Sequence, residues 1–268
     1  MFLLLVGTDR DEDGLETGSA DVIRVARIDF VRLQVLVLAV PRDLWVTIPG
    51  LDTYGISENR IKTTYPYGNH YEVPGRGASL LARTLSANFG LRVEHYVVID
   101  FETFAQGIDQ LGGVNVMVSE PIGLPGSADY FPEGVNHLDG RAALTYARIR
   151  PGNSSDIARI DRQTQILMAA RDKVLSPEGI SQLPALADQL NATALTDLSP
   201  SQLSALLCVA QSMDRSNLIM RTINDKFYVS VTDAFGYERL LPDSSAIFQL
   251  SRDFMTGDVV SFTRQLDN

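Results

Sequence analysis

The 268-residue sequence predicts an α/β sandwich. Between residues 1 and 118, short runs rich in Val, Ile and Leu alternate with segments of helical spacing, and this alternation is typical of strands and helices that pack in layers. Hydrophobic residues make up 45% of the chain and charged residues 21%, as in folded proteins that bury a core of their own. The sequence shows no internal repeat and no low-complexity linker, so a single domain over residues 1–268 is expected.

Local patterns give the order of the elements. Residues 1–6 form an apolar run that predicts a first buried strand. Leu81, Leu85 and Phe89 have helical spacing, and a glycine follows where a helix would end. Residues 119–139, with scattered Pro, Gly and Asp, predict a long loop, and loops of that length are often functional. The other predicted strands are 22–28, 34–40, 95–99, 114–118 and 217–223, and the predicted helices are 78–89, 101–111, 140–147, 157–175, 178–190, 199–213 and 242–255.

Composition narrows the functional classes. The net charge of −10 and the pI near 4.8 argue against nonspecific nucleic-acid binding, which needs a basic face. The single Cys208 excludes an internal disulfide and a thiolate metal cluster. Its apolar neighbours in the sequence predict a buried structural thiol rather than a nucleophile.

The sequence predicts neither a signal peptide nor a transmembrane helix. No segment approaches the ~20 apolar residues that span a bilayer. The initial run of residues 1–6 is too short for a signal-peptide core and has no basic flank. We therefore expect either a soluble protein or one from which an anchor has been removed.

Arginines cluster in the middle of this acidic chain. Arg148 and Arg150 alternate in a predicted extended segment, which would send both guanidinium groups to one face. Arg159 and Arg162, on a predicted helix, are i and i+3 neighbours. Four planar, permanently charged groups suit a multivalent oxyanion such as a diphosphate. The alternative is that they form surface salt bridges with the chain's many carboxylates.

Two carboxylates stand at strand ends. Asp9 follows the first predicted strand and Asp21 begins the second. Mg²⁺ or Mn²⁺ is usually held by one or two carboxylates together with phosphate oxygens. Residues 9–14 fit the start of an EF-hand loop, but its twelfth position is Ala20, which excludes a calcium loop. The acidic residues between the two strands are interpreted as an exposed loop: Asp11, Glu12 and Asp13.

Arg42 and Asp43 follow the predicted strand 34–40. Ligands of open α/β sheets bind beyond the carboxyl ends of strands, which is where Asp9 and Arg42 would stand. The alternative is that Arg42 and Asp43 form an ordinary turn. Nucleotide-binding loops, histidine metal sites and nucleophile elbows have no matching motif in the sequence.

A series of short segments identifies a family. The segments are 4–9 (LLVGTD), 20–23 (ADVI), 40–43 (VPRD), 60–68 (RIKTTYPYG), 96–101 (YVVIDF), 111–114 (LGGV), 138–140 (LDG), 146–150 (YARIR) and 156–163 (DIARIDRQ). In this order and spacing they resemble the LytR-CpsA-Psr family, over about residues 3–175. Residues 176–268 lie beyond the motifs and are expected to supply helices and a strand that complete the domain.

The resemblance implies an enzyme of the bacterial cell envelope. Family members take a wall or capsular glycopolymer from a polyprenyl-diphosphate carrier and attach it through a phosphodiester to peptidoglycan, and polyprenyl-diphosphate phosphatase activity is a further expectation. The implied fold is a three-layer α/β/α sandwich around a mixed central sheet, with a hydrophobic tunnel for the lipid. The implied location is the extracytoplasmic face of the cell membrane, whose surface the protein would contact through its lipid substrate. No nucleic-acid partner is expected.

The resemblance also implies a role for each matching residue. Asp9 and Asp21 would hold Mg²⁺ or Mn²⁺. A sugar hydroxyl would attack the sugar-side phosphorus and release polyprenyl phosphate, with Asp43 or Asp161 as candidates to take its proton. The implied catalytic residues are Arg42, Asp43, Arg148 and Arg150. The residues implied to bind the diphosphate are Arg42, Arg148, Arg150, Arg159, Arg162 and Gln163. Phosphoryl transfer depends mostly on positioning and charge neutralisation, for which arginines and a metal suffice.

The sequence also departs from the family pattern. It has Arg60-Ile61-Lys62 where the family usually has Lys-Ile-Asn, and Ala158 where a glycine is usual. The usual amino-terminal transmembrane helix is absent from this sequence.

Two other functions are weighed as alternatives. One is a non-catalytic polyprenyl-diphosphate-binding protein, and the other is the transcription-attenuator role once attached to the family name. Both metal-site carboxylates and all five matching arginines are present, which favours an enzyme over a degenerate binder. The acidic pI and the lack of a basic helix-turn-helix pattern count against contact with DNA.

Overall fold

The computed structural model describes residues 1–9, 18–149, 156–176, 179, 182, 193–234 and 236–267. The chain divides into two compact units. The first unit comprises Met1–Val98 and Leu195–Asn268, and the second comprises Ile99–Ala194. The single domain expected over 1–268 stays a prediction.

The described elements alternate between strands and helices, as the sequence predicts. The strands are β1 (Phe2–Thr8), β2 (Ala20–Asp29), β3 (Gln34–Ala39), β4 (Trp45–Thr47), β5 (Glu58–Arg60), β6 (His95–Asp100), β7 (Val114–Val118), β8 (Gly134–Leu138), β9 (Leu195–Thr196), β10 (Leu218–Thr222), β11 (Tyr228–Thr232) and β12 (Glu238–Pro242). The helices are α1 (Thr64–His70), α2 (Arg76–Phe89), α3 (Phe101–Gln110), α4 (Gly140–Arg148), α5 (Asp156–Val174), α6 (Pro200–Ser212), α7 (Ser244–Thr256) and α8 (Val259–Asp267).

A mixed six-stranded sheet forms the centre of the first unit, in the order β10-β3-β2-β1-β6-β9. Strands β1, β2 and β3 pair antiparallel, whereas β10 runs parallel to β3. The central strands are rich in Val, Ile and Leu because the sheet is covered on both faces.

Helices cover both faces of this sheet. Side chains alternate along each strand, so Ile23 and Val25 pack on one face with Leu85 of α2 and with residues of α7 and α8. Ala26 and Ile28 lie on the other face, in a cluster that includes Val209 of α6. The first unit is thus a three-layer α/β/α sandwich around a mixed sheet, which confirms the predicted fold class.

Two small antiparallel pairs complete the first unit. Strand β4 pairs with β5, and β11 pairs with β12. Leu44, just before β4, forms an isolated bridge with Leu240 of β12. These two pairs were not predicted from the sequence. Strands β4, β5 and β12 carry little hydrophobic alternation, and the alternating Val229 and Val231 of the short β11 are exposed.

In the part of the second unit that the structure describes, a β-hairpin and three helices surround a core of their own. Strands β7 and β8 pair antiparallel, and their buried residues pack with α3, α4 and α5 through Ile108, Tyr146 and Ile166. Asp100 caps α3 by accepting a hydrogen bond from the Thr103 amide at 2.5 Å, and Asp139 caps α4 through the Ala142 amide at 2.7 Å.

Three predictions from the sequence need correction or lie outside the described residues. The predicted loop 119–139 is wrong at its end, where Gly134–Leu138 form β8. This strand has two adjacent polar residues, Asn136 and His137, instead of hydrophobic alternation, and depends on its ladder with β7. Cys208 is exposed rather than buried, because α6 turns its neighbour Val209 toward the sheet. The predicted helix 178–190 falls mostly outside the described residues.

No helix among the described residues has both the length and the apolar character needed to cross a membrane.

Candidate functional site

Both predicted metal-binding carboxylates lie at the same end of the β1–β2 ladder. Thr8 pairs with Ala20 and the register shifts there, so Asp21 is the extra residue of a β-bulge. A bulge redirects a side chain and is common beside functional sites. Asp9 directly follows Thr8, and the chain returns so closely that a Cβ on Gly18 would lie 1.6 Å from the Asp9 carbonyl oxygen. Only glycine fits at that point of approach.

The donor chemistry of these two residues suits a hard divalent cation. Carboxylate oxygens are the donors that Mg²⁺ and Mn²⁺ prefer, and one or two of them suffice when substrate phosphates supply the rest. Among the described residues, no group of three or more His, Cys, Asp and Glu side chains is placed to hold a metal. A metal at this end of the sheet would therefore depend on Asp9, Asp21 and oxygens of the substrate, and its presence stays a prediction.

Arg42 contacts both neighbouring aspartates. Its Nη1 donates a hydrogen bond to Asp21 Oδ1, and its Nε lies 3.5 Å from Asp43 Oδ2. The Arg42 side chain is 16% exposed, so these charges meet with little water between them. The predicted position of Arg42 beyond the carboxyl end of β3 is confirmed, and its ion pairs distinguish it from a turn residue in solvent.

Asp43 gathers two further cations. Lys62 Nζ lies 2.8 Å from Asp43 Oδ1, and Arg60 Nε lies 4.0 Å from the same oxygen. Sequence reasoning noted these two residues only as a departure from the family pattern. They flank the fully buried Ile61, and no sequence pattern indicates their contact with Asp43. We name Asp21, Arg42, Asp43, Arg60 and Lys62 the Asp43 network.

The three cations keep Asp43 ionised. Burial raises the pKa of the Asp43 carboxyl, but the hydrogen bond and charge of Lys62, with the charges of Arg42 and Arg60, outweigh it, so the pKa lies below its ordinary value. A carboxylate with a lowered pKa is a weak proton acceptor. These contacts suit Asp43 to orient Arg42, Arg60 and Lys62 more than to serve as a general base.

In the second unit, Arg148 is the last residue of α4. Its guanidinium carbon lies 5.2 Å from the centre of the Phe101 ring, within the range of a cation–π contact. The predicted extended pattern is wrong at Arg148, because Ala143, Tyr146 and Ala147 continue the buried face of the helix up to it. Arg150 lies outside the described residues, as do Asp11, Glu12 and Asp13.

Helix α5 holds the C-terminal end of α4. Arg162 Nη2 donates a hydrogen bond to the Ile149 carbonyl, and Gln163 Nε2 lies 3.5 Å from the Ala147 carbonyl. The last carbonyls of a helix have no partner within the helix and carry partial negative charge, so a cation there stabilises the helix end. Burial lowers the pKa of Arg162, although the nearby Tyr146 and Asp161 raise it. The arginine remains a cation at neutral pH.

Arg159 is also on α5 and is 4% exposed, beside Arg162 at 7%. Arginines in surface salt bridges are mostly exposed, so the burial of Arg159 and Arg162 disfavours the alternative that these two arginines form surface salt bridges. Asp161, the other candidate base, is exposed. We name Arg148, Arg162 and Gln163 the α4-end group.

Within each unit, the structure thus brings together residues that are distant in sequence. Asp9, Asp21, Arg42 and Asp43 meet at one end of the first unit's sheet, joined by the unpredicted Arg60 and Lys62. Arg148, Arg162 and Gln163 meet at the end of α4.

The α/β/α sandwich, the strand-end carboxylates and the arginines agree with the family that the sequence motifs indicate. The LytR_cpsA_psr family matches residues 1–251. The chain belongs to that family, as its sequence motifs predict.

Two proteins are similar in sequence to most of this chain. A "polyisoprenyl-teichoic acid–peptidoglycan teichoic acid transferase TagU" from Oceanobacillus iheyensis is 31% identical over 239 residues, which cover 86% of this chain and 71% of that protein. The "regulatory protein MsrR" of Staphylococcus aureus is 30% identical over 205 residues, 74% of this chain and 57% of MsrR. The chain thus spans little more than half the length of MsrR.

Solved structures have the same fold. The crystal structure of Bacillus subtilis TagV covers 100% of this chain, and the chain covers 97% of it, with a TM-score of 0.76 and 25% identity. A structure of TagT bound to LI-WTA has a TM-score of 0.71 at 19% identity, with 100% of this chain and 91% of TagT covered. At that identity the TagT structure supports the fold alone.

Proposed function

We propose that the protein is a phosphotransferase that attaches a wall or capsular glycopolymer from a polyprenyl-diphosphate carrier to peptidoglycan. The observation that carries the proposal is the family match over residues 1–251, which includes both strand-end carboxylates and every matching arginine. The printed name of the relative TagU describes a transferase with a polyisoprenyl-linked donor and a peptidoglycan acceptor. Attack by water in place of the sugar hydroxyl would hydrolyse the diphosphate and release polyprenyl phosphate, and this phosphatase activity would be a side reaction of the same site.

The proposed chemistry is a displacement at phosphorus. A hydroxyl oxygen of the acceptor sugar forms a bond to the sugar-side phosphorus, the bridging P–O bond of the diphosphate breaks, and polyprenyl phosphate leaves with the bridging oxygen. The hydroxyl proton passes to a base or to water. Such a reaction is catalysed mainly by neutralising charge on the phosphoryl oxygens and by positioning, which this chain's arginines are suited to do.

In this proposal, Asp9 and Asp21 would bind Mg²⁺ or Mn²⁺, which would neutralise phosphate charge when present. Arg42 would bind the diphosphate, and Asp43 would hold the Arg42 side chain in place. In the second unit, Arg148, Arg150, Arg159 and Arg162 would bind the diphosphate with Gln163; these assignments rest on the family resemblance.

A polyprenyl chain requires an apolar tunnel and access to a membrane surface. We therefore include in the proposal that the protein has such a tunnel and contacts the membrane surface through its lipid substrate. The extracytoplasmic location likewise follows from the substrate class and from the family. The second candidate function is a non-catalytic polyprenyl-diphosphate binder. The lowered pKa of Asp43 makes this residue a weak proton acceptor. An enzyme needs a group that takes the proton of the acceptor hydroxyl, whereas a binder does not, and this observation therefore favours the second candidate.

The experiment is an assay of polyprenyl-phosphate release from a short prenyl diphosphate, with Mg²⁺ and with EDTA. We expect metal-dependent release by the parent chain. Arg148→Ala removes a charge-assisted hydrogen bond and is expected to lower prenyl-diphosphate affinity by about 1.5–3 kcal/mol. Asp21→Ala is expected to remove the dependence on Mg²⁺, and Asp52→Ala, an exposed aspartate, serves as the matched control.

Each outcome separates the candidates. Metal-dependent release that falls in Arg148→Ala supports the enzyme. Tight prenyl-diphosphate binding without release supports the binder, and unchanged affinity in Arg148→Ala contradicts the role of that arginine. A parent chain that, with prenyl diphosphate bound, melts at the same temperature with and without Mg²⁺ would contradict the metal site.

A further inference from the structure

An open cleft of about 290 Å³ lies beside the Asp43 network in the first unit. Its walls come from β4, β5, the residues after β5, and the tip and second strand of the β11–β12 hairpin. Ligand sites of small molecules start at about 300 Å³, so the cleft has room for one small ring-shaped group rather than for an extended polymer.

Two aromatic rings give the cleft its apolar surface. Trp45, the chain's single tryptophan, has the Arg239 guanidinium carbon 4.2 Å from its ring centre and donates from Nε1 to Glu58 Oε2 at 3.2 Å. Tyr237 is 67% exposed, and its amide donates to Asp233 Oδ1 at 2.9 Å. The Trp45 ring is thus held in position, while Tyr237 presents most of its ring to the solvent.

The cations that line the cleft are already balanced by carboxylates. Arg239 Nη2 lies 2.8 Å from Asp233 Oδ2, Lys62 lies 2.8 Å from Asp43, and Arg60 lies 4.0 Å from Asp43. Compensated charges attract a further anion weakly, because the neighbouring carboxylates repel it. The cleft is therefore unsuited to a polyanion and suited to a neutral polar ligand.

Polar groups suitable for hydroxyls stand at the same wall. Asn59 and Thr63 both line the cleft. Asn59 donates to the Tyr67 hydroxyl and accepts from the Arg60 amide, and Thr63 donates to the Arg60 carbonyl. The second N–H of the Asn59 amide and the lone pairs of the Thr63 hydroxyl oxygen are the further donor and acceptors that these groups offer a ligand. Aromatic rings that face C–H surfaces, together with a few groups that bind hydroxyls, are the chemistry that recognises a pyranose.

We propose that this cleft binds a neutral sugar ring of the acceptor glycan. The inference rests on the proposed function, which requires a glycan acceptor. Through Arg60 and Lys62, the cleft is connected to Asp43 and so to Arg42, and a sugar bound there would lie beside residues proposed to act on the diphosphate.

The test uses Trp45 fluorescence, because the chain's single tryptophan lines the cleft and reports binding there without a label. The full chain is titrated with a neutral N-acetylglucosamine tetrasaccharide and, separately, with poly(glycerol phosphate) as an anionic polymer. We expect the tetrasaccharide to shift the emission saturably and poly(glycerol phosphate) to do so only weakly. Tyr237→Ala is expected to weaken the tetrasaccharide binding roughly three- to ten-fold, and Tyr237→Phe, which keeps the ring, is expected to restore it.

The matched control is Tyr54→Ala, since Tyr54 is 54% exposed and does not line the cleft. Equal weakening by Tyr54→Ala and Tyr237→Ala would overturn the proposal, as would the absence of saccharide binding or a preference for poly(glycerol phosphate). Sugar binding is measured without prenyl diphosphate. A failure here is therefore distinguishable from a failure of the prenyl-phosphate release assay, which contains no sugar.

Discussion

The two units hold their cations by different means. In the Asp43 network, Arg42, Arg60 and Lys62 contact Asp43, and Arg42 is also paired with Asp21, so the cations are held by full opposite charges. At the end of α4, Arg162 binds a backbone carbonyl and Arg148 lies over an aromatic ring. The first arrangement depends on carboxylate side chains, chiefly Asp43, whereas the second depends on where a helix ends. Substitutions in the two units should therefore lower the stability of the protein for different reasons.

The largest expected effect is at Asp43. Asp43→Ala removes the carboxylate that contacts three cations; Arg42 keeps its ion pair with Asp21, whereas Lys62 and Arg60 lose this carboxylate. We expect the free energy of unfolding to fall by about 2–4 kcal/mol, measured by urea denaturation. Asp52→Ala, at an exposed aspartate, is expected to change it by less than about 0.5 kcal/mol. Similar effects of both variants would show that Asp43 is not the centre of the network.

The pH dependence sharpens the same comparison. Because the pKa of Asp43 is lowered on folding from its ordinary value of 3.8, its contribution is complete above that value and is lost as the pH falls through the lower, folded-state pKa. The difference in stability between the parent and Asp43→Asn should therefore be constant near neutral pH and fade only below the ordinary aspartate range. A difference that faded above pH 5 would contradict the lowered pKa.

An intermediate effect is expected at Arg162. Arg162→Met removes the hydrogen bond to the Ile149 carbonyl while keeping much of the apolar stem, and should lower the free energy of unfolding by about 1–2 kcal/mol. The matched control is Arg141→Met, since Arg141 is exposed on α4. If both variants unfold at the same urea concentration, Arg162 does not support the helix end, and its buried position would have to be explained by ligand binding alone.

The smallest expected effect concerns Arg148 and Phe101. A double-mutant cycle with Arg148→Met and Phe101→Leu should give a coupling energy of about 0.5–1 kcal/mol, the usual size of a cation–π contact at a partly exposed site. The cycle, measured by urea denaturation, removes the packing cost of each single change. A coupling of zero would show that the ring does not hold the guanidinium, and that the α4-end group is organised by Arg162 alone.

The sequence predicted the elements whose signals are strong and local. The Val-, Ile- and Leu-rich strands of the central sheet and helix α2, with its stop at Gly90, are confirmed within a residue or two. The small pairs β4–β5 and β11–β12 were missed, because short strands without alternation acquire their structure only from a partner. Cys208 was misassigned since apolar neighbours in sequence do not say which face of a helix a residue occupies.

For the candidate site, the sequence predicted which residues take part, but not which residues contact one another. Motif order alone named Asp9, Asp21, Arg42 and the arginines near residues 148–163. It did not show that Arg60 and Lys62 join Asp43, because those contacts connect segments about twenty residues apart through a turn that no periodicity encodes. Nor did it show the cleft, whose walls come from residues 45–63 and 233–239.

By itself the sequence determined the family and the fold class and predicted the chemical nature of the candidate site, since these depend on residue types and on their order along the chain. Only the tertiary structure decided which charges compensate one another, that Asp43 is an organiser with a lowered pKa, and that Arg162 supports the end of α4. The physical reason is that strands and helices follow local side-chain patterns, whereas a pKa or an ion pair depends on burial and on atoms a few ångströms away that the chain supplies from elsewhere.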